Sequence, residues 1–330
     1  MQKTQKKYSV TVVGASGLVG QTFLRILKEK RFPLKDLKLY AKQDGVGKTV
    51  RVFKRDYVIE KLTDDFSPHT DFVLFAATAD ISKKYAPAAR DNGCVVVDNS
   101  PAFRTDENVP LVVPEINYEK CGKNKLIANP NCSTIICAKP LALLNKAFGL
   151  KRVRICTYQA VSGAGSEGIK ALYGKKNNAF GYDVRKTCIP KIGEPSVLGY
   201  TTEEIKMRDE LQKIIENKDL RVAATCVRVP VKNCHAIALY ATFDKSFLIS
   251  EVYEALASDK SIEIADDIFC DKYPVASAAN GTDKVYVGRI RYDLAEKNSL
   301  AFYVLSDNLR TGAALNAYRI IRRITKDDRM

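Results

Sequence analysis

One cysteine and one histidine of this chain stand in surroundings suited to covalent catalysis. Cys132 lies in Asn129-Pro130-Asn131-Cys132-Ser133-Thr134, ahead of an apolar run at helical spacing, Ile135, Ile136, Leu141, Leu143 and Leu144. Pro130 and the polar neighbours put it at a helix start. A helix N-terminus and a nearby imidazolium lower a thiol pKa from about 8.5 towards 7 or below, which makes thiolate abundant at neutral pH. An acyl-accepting nucleophile needs that state. The chain has only 2 histidines, so a histidine acid/base is either His69 or His235. His69 sits in the polar loop Ser67-Pro68-His69-Thr70, where a solvated ring is expected, whereas His235 follows Arg228-Val229-Pro230-Val231. Lone histidines are also common as hydrogen-bonded scaffold, and free cysteines as small buried hydrophobes. The other eight cysteines are read that way.

A second constellation is glycine-rich. Gly14, Gly17 and Gly20 in GASGLVG follow a β-branched apolar stretch, Tyr8 to Val13, and precede Val19, Phe23, Leu24, Ile26 and Leu27 at helical spacing. Strand, glycine turn and helix in that order are the context of a dinucleotide site. Backbone N–H groups of Ser16, Gly17 and Leu18 are expected to approach a pyrophosphate there. Where the second strand ends and a ribose 2′ position would be read stands Lys42-Gln43-Asp44-Gly45. Lys42 would attract a 2′-phosphate and Asp44 would repel it, so NADP and NAD both stay open.

The elements that must position these residues alternate. Strands near 37–40, 72–76 and 95–98 and a helix near 80–91 continue the opening unit as a doubly wound, Rossmann-type parallel sheet. After Asn129-Pro130-Asn131 the pattern becomes α+β. Longer strands are expected over 153–161, 220–229 and 236–243, with helices near 202–216 and 250–257. Residues 174–186 and 277–283 are polar and glycine-containing and are expected as loops, and 311–324 as a final helix. The division expected is an α/β nucleotide domain over 1–131, completed by 309–330, and a catalytic and dimerisation domain over 132–308.

Composition narrows the class. No apolar run reaches the roughly 18 residues of a membrane span and no leader pattern opens the chain, so a soluble, cytoplasmic protein is expected. The 9 cysteines form no C-x-x-C pair, which suggests neither zinc nor a disulfide framework. A net charge of +15 allows nucleic acid, a membrane surface or an anionic small substrate. No basic block interleaved with aromatics favours nucleic acid, and Lys3, Lys6 and Lys7 read as a solvated start.

GASGLVG, DNSPAFR (98–104), NPNCSTI (129–135), TYQAVSGAG (157–165), TTEEIKM (201–207), RVPVKNCH (228–235) and SDNLRTGAALNA (306–317) resemble, in order and spacing, the aspartate-semialdehyde dehydrogenase family. The resemblance implies reversible reductive dephosphorylation of L-4-aspartyl phosphate by NADPH to L-aspartate 4-semialdehyde, towards lysine, methionine and threonine. It implies Cys132 as nucleophile and His235 as acid/base, with Asn131 and Gln159 holding the acyl group and its oxyanion. Arg104 and Lys206 would bind phosphate, Arg228 the substrate carboxylate and Glu203 its amine. Gly14, Ser16, Gly17, Leu18, Val19, Ser162, Gly163 and Asn308 would line the cofactor, with no metal, in a homodimer or homotetramer. Glu203 and Lys206 share a helix face by spacing, and Glu204, one position on, points about 100° away. The family usually has arginine where Asp44 stands, and glycine and serine where Cys234 and Ala236 flank His235. An N-acetyl-glutamyl-phosphate type of reductase shares the cysteine–histidine logic, but an acylated amine has no charge for Glu203 to pair. A nucleic-acid binder on a retired scaffold would have no use for both Cys132 and His235.

Overall fold

The computed structural model describes residues 6–174 and 179–327. Lys3 of the basic start, 175–178 of the polar loop and 328–330 of the final segment lie outside them. The chain divides into two compact units, one running to Pro130 and resuming at Ala313, the other Asn131–Gly312.

In the first unit, β1 (Tyr8–Val13) passes through the glycine turn into α1 (Leu18–Glu29) and on to β2 (Leu34–Ala41), β3 (Thr49–Val52), β4 (Arg55–Lys61) and β5 (Phe72–Phe75). Then come α2 (Ala79–Asp91), β6 (Val95–Asp98), α3 (Pro114–Asn117) and β7 (Leu126–Ala128). The sheet order is β3-β4-β2-β1-β5-β6-β7, parallel except for the β3–β4 hairpin. The inner strand β5 is apolar throughout, as helices on both faces require: all of Phe72, Val73, Leu74 and Phe75 are buried. The edge strand β3 and its neighbour β4 escape the sequence reading because they carry charge, here Arg51, Arg55, Asp56, Glu60 and Lys61. The carboxyl ends of β1, β2 and β6 present the glycine turn, the loop from Lys42 and the loop from Asn99.

The second unit opens with α4 (Cys132–Phe148), β8 (Leu150–Gln159), α5 (Gly165–Tyr173) and α6 (Thr202–Ile215). It continues through β9 (Arg221–Arg228), β10 (His235–Phe243), α7 (Ile249–Ala257), β11 (Ile262–Ile264), α8 (Ala276–Ala279), β12 (Val285–Tyr292) and β13 (Ser299–Ser306). Its mixed sheet has the order β11-β12-β13-β10-β8-β9. Val153 and Ile155 of β8, Ile237 and Leu239 of β10 and Phe302 and Val304 of β13 are buried and alternate with outward residues, as one packed face requires. The helix α8 occupies part of the 277–283 segment expected as loop, its four small residues too short a run to read as helical. Beyond it a wide π turn over Arg310–Ala314 precedes α9 (Leu315–Lys326), so the final helix begins later than its apolar period suggests. Leu315, Ile320, Ile321 and Ile324 of α9 complete the core of the first unit beside Phe23, Ile26 and Leu27 of α1.

Candidate active site

Cys132 is the first residue of α4 and Asn131 is its cap: Asn131 Oδ1 accepts from the N–H groups of Ser133 (2.9 Å) and Thr134 (3.4 Å). Such a cap is worth about 1 kcal/mol and sets the rotation of the first turn. That leaves the Asn131 amide nitrogen as donor, and it reaches Glu203 Oε1 at 2.8 Å. Gln159, the last residue of β8, donates from Nε2 to the same oxygen at 3.1 Å and also to Ser133 Oγ. Asn131, Gln159 and Glu203 are therefore one buried cluster behind the nucleophile. Lys206 Nζ stands 3.7 Å from Glu203 Oε2, so the two share a face as their spacing requires. Glu204 points elsewhere. Its Oε2 accepts from the Thr201 N–H at 2.7 Å in a capping box, and its Oε1 accepts from the Cys226 N–H at 2.9 Å.

The ring of His235 is 1% exposed, and its Nδ1 accepts the Ala160 N–H at 3.1 Å. Burial first, and the Arg228 guanidinium second, hold its pKa well below the ordinary 6.5. The neutral ring must then carry its proton on Nε2, and the expected imidazolium does not support the Cys132 thiolate, a part that falls to the start of α4. Arg228 Nη1 and His235 Nε2 both lie 3.0 Å from where a Cβ on Gly163 would be, so any side chain there would push the two apart. Arg228 is 5% exposed, donates to Ala160 O at 2.6 Å and leaves its Nε buried with no partner. Among the described residues it forms no ion pair, although a buried cation normally requires one. A carboxylate from outside the chain would supply it. Ser162 and Asn308 brace this corner: Asn308 Nδ2 donates to Ser162 Oγ at 3.0 Å, and Asn308 Oδ1 accepts from the Cys234 N–H at 2.9 Å.

Cys234 adopts φ +77°, a conformation glycine takes freely, and burial drives its thiol up to about 12. It is thus a strained but unreactive neighbour of His235. His69 is exposed in its loop, as its polar context implies.

Two further residues at the nucleophile escape the sequence reading. A Cβ on Gly312 would meet Cys132 Cβ at 3.0 Å. Glu210 Oε2 accepts the Asn131 N–H at 2.6 Å. Glu210 had a signal: it is an acid on the stripe of Met207, Leu211 and Ile214, the buried face of α6. Gly312 had none, because its approach to Cys132 is purely tertiary.

In the first unit, Gly14 takes φ +88°, and a Cβ on it would strike Ala76 O at 2.2 Å. The Gly17 N–H closes the turn onto Gly14 O at 3.1 Å and is spent there, which leaves Leu18, Val19 and Gly20 with the first-turn donors of α1. No acid stands in that turn, and Gly17 itself faces open space apart from Gly14 O at 3.4 Å. The residues present fit a pyrophosphate. Beyond β2 a pocket of about 320 Å³ is lined by Lys42, Gln43, Lys61, Asp64, Asp80 and Lys84, with Lys84 paired to Asp64 at 2.6 Å. Asp44 does not line it. Arg104 belongs to this unit and is buried; its Nε donates to Asn129 O at 3.0 Å and one Nη to Asn99 O at 2.9 Å. Asp98 anchors the same loop through Ser100 and ties it to α2 through Ser82, with its carboxyl pushed up by burial.

Residues 9–124 match the NAD-binding domain of semialdehyde dehydrogenases and residues 141–311 their dimerisation domain. Those two matches define the class of enzyme to which the fold and the cysteine site belong. Among individual proteins, the aspartate-semialdehyde dehydrogenase of Aquifex aeolicus is 38% identical over 97% of this chain and 98% of its own. That of Campylobacter jejuni is 39% identical over 96% and 97%. The crystal structure of aspartate semialdehyde dehydrogenase II from Vibrio cholerae superposes with a TM-score of 0.94 at 36% identity, covering 98% of this chain and 99% of its own. A second structure of that protein is complexed with ASA. The chain belongs to the aspartate-semialdehyde dehydrogenase family. These relatives do not favour the N-acetyl-glutamyl-phosphate alternative.

Proposed function

We propose that the chain catalyses the reversible, NADP-dependent reductive dephosphorylation of L-4-aspartyl phosphate to L-aspartate 4-semialdehyde through a thioester on Cys132. One observation carries the reading: a buried guanidinium with no ion pair among the described residues, Arg228, shares a corner with His235 beside the cluster of Glu203 with the nucleophile's own cap. A substrate with a carboxylate, an ammonium and a phosphate calls for such a set, with Arg228 on the carboxylate, Glu203 on the ammonium and Lys206 and Arg104 on the phosphate.

In the reductive direction the Cys132 thiolate attacks the acyl carbon. The C–S bond forms, and the C–O bond breaks with its electron pair leaving on phosphate. The Nε2–H of His235 and the second amide N–H of Asn131 donate to the oxyanion, and Gln159 joins them by turning one N–H away from Ser133 or Glu203. When bound, the nicotinamide nucleotide supplies the hydride that reduces the thioester. The resulting tetrahedral oxyanion collapses, expels the Cys132 thiolate and releases the aldehyde, with His235 handling the proton at that oxygen. The start of α1, with Gly14, Ser16, Gly17, Leu18 and Val19, takes the pyrophosphate. Lys42 and Lys61 favour a 2′-phosphate in the pocket they line, against Asp44 nearby in the chain, while Ser162, Gly163 and Asn308 around His235 take the nicotinamide.

The test is phosphate-dependent reduction of NADP and of NAD with aspartate semialdehyde, followed optically. Turnover is expected with both dependences, faster with NADP. Cys132→Ala should abolish it while leaving nucleotide binding intact. Phosphate-independent turnover, or residual activity above about 5% of a parent rate that rests on covalent catalysis, would remove Cys132 from this role.

A further inference from the structure

Helix α6 meets the start of α4 through three residues spaced four and three apart, hence on one face. Met207 Sδ accepts from Thr134 Oγ1 at 3.8 Å, Glu203 from the Asn131 side-chain amide at 2.8 Å, and Glu210 from the Asn131 backbone N–H at 2.6 Å. Glu210 is 2% exposed among the apolar Met207, Leu211 and Ile214 of the buried face. A buried carboxylate is a costly way to fill space, and packing alone would be served better by leucine or methionine. What an acid adds is a strong acceptor. The N–H it accepts belongs to the cap residue immediately before the nucleophile, and no intrahelical bond can satisfy that group.

We propose that Glu210 is a positioning residue for Cys132, gripping the cap of α4 by its backbone so that the nucleophile keeps its orientation whatever happens at Glu203. The inference rests on the reading that Glu203 takes the substrate ammonium. Under that reading the ammonium and the Asn131 amide compete for one carboxylate, and each binding event loosens the side-chain half of the grip. The backbone half does not change. Two acids one heptad apart therefore divide the work: Glu203 is free to exchange partners because Glu210 does not.

The experiment uses the full chain carrying Glu210→Ala or Glu210→Gln, with two readouts. Amide hydrogen exchange of the peptide covering 129–136 is measured without substrate, and kcat and KM for aspartate semialdehyde with it. Glu210→Ala is expected to speed exchange of that peptide about tenfold or more and to lower kcat about 10- to 100-fold, with KM within about twofold. Glu210→Gln keeps an acceptor oxygen and should recover most of kcat and a parent-like exchange rate. Unchanged kcat in Glu210→Ala, a loss confined to KM, or a glutamine variant as impaired as the alanine variant would each overturn the proposal. If the alanine variant does not fold, the glutamine variant decides, because accelerated exchange or a fall in kcat beyond about threefold in it contradicts a pure acceptor role. If the parent does not turn over aspartate semialdehyde, the substrate reading fails by itself, while the exchange data still decide whether Glu210 holds the cap.

Discussion

Because the Ala160 N–H occupies the Nδ1 lone pair, His235 meets a substrate with a proton on Nε2 and no lone pair to offer from the same nitrogen. The thiolate route needs no more than that, since both oxyanions want a donor: the first collapses with its electron pair leaving on phosphate, and the one formed by hydride returns the electrons to sulfur. The chain has 2 histidines, so ¹⁵N spectra of the imidazoles are simple to assign with His69→Gln. At pH 7 the His235 pair should show a protonated Nε2 and a bare Nδ1; the opposite tautomer would make the ring a base and contradict the donor role. Burial and Arg228 keep the native ring neutral below the ordinary 6.5, whereas the unfolded ring charges at that value. The unfolded state then binds the extra proton, so stability falls as pH drops through 6.5, by about 1.4 kcal/mol per unit for one proton. Denaturation midpoints between pH 7.5 and 5.5 should show this slope in the parent and lose it in His235→Gln. The same burial argument makes the thiols of Cys226 and Cys234, both pushed to about 12, unreactive towards alkylating agents at neutral pH.

At the scale of elements, α6 shows how one rotation of about 100° separates chemistry from architecture. Glu203 faces the nucleophile's cap and Lys206, while Glu204 closes the capping box and satisfies the Cys226 N–H. Glu204→Ala should therefore cost about 1–3 kcal/mol in stability, a cap and a buried N–H, with KM nearly unchanged. Glu203→Gln should raise KM for aspartate semialdehyde about tenfold or more with little change in the thermal midpoint. Equal effects of the two on KM would mean that neither binds the ammonium. The start of α4 was legible beforehand because Pro130, Asn131 and the apolar run after Thr134 are local signals, and the turn at Gly14 because strand, glycines and helix are contiguous. The β3–β4 hairpin was not, since Arg55-Asp56-Tyr57-Val58-Ile59-Glu60-Lys61 has too few apolar residues to declare a strand. Nor could spacing disclose that the Asn131 and Gln159 amides converge on Glu203, positions 72 and 44 residues away. Those bonds exist only once α6 has packed beside α4.

At the scale of the molecule, the sheet of the second unit has helices α4, α6 and α7 on one face, and Tyr158, Tyr240 and Tyr303 on the other. Tyr158 is 41% and Tyr240 37% exposed, on a unit whose family match is a dimerisation domain. Six strands about 4.8 Å apart and roughly eight residues long at about 3.3 Å each make a face on the order of 750 Å². A standard interface needs about 800 Å² per partner. We therefore expect a homodimer joined through this face, with tyrosines as its anchors. Arg154 adjoins Tyr240 across the β8–β10 register, and Arg289 and Arg291 line a hollow with Tyr240 and Tyr303. Each copy also carries a net charge of +15, so association must work against like-charge repulsion. Screening reaches about 10 Å at 0.1 M salt and about 30 Å at 0.01 M. Dilution of salt should thus weaken the dimer, the opposite of a complex held by ion pairs. Sedimentation at 0.01 M and 0.3 M salt checks the sign, and Tyr240→Glu should raise the dissociation constant about 100-fold or more at either. A parent that sediments as a monomer at micromolar concentration in 0.3 M salt, or a Tyr240→Glu variant that stays dimeric, would place the partner on another surface.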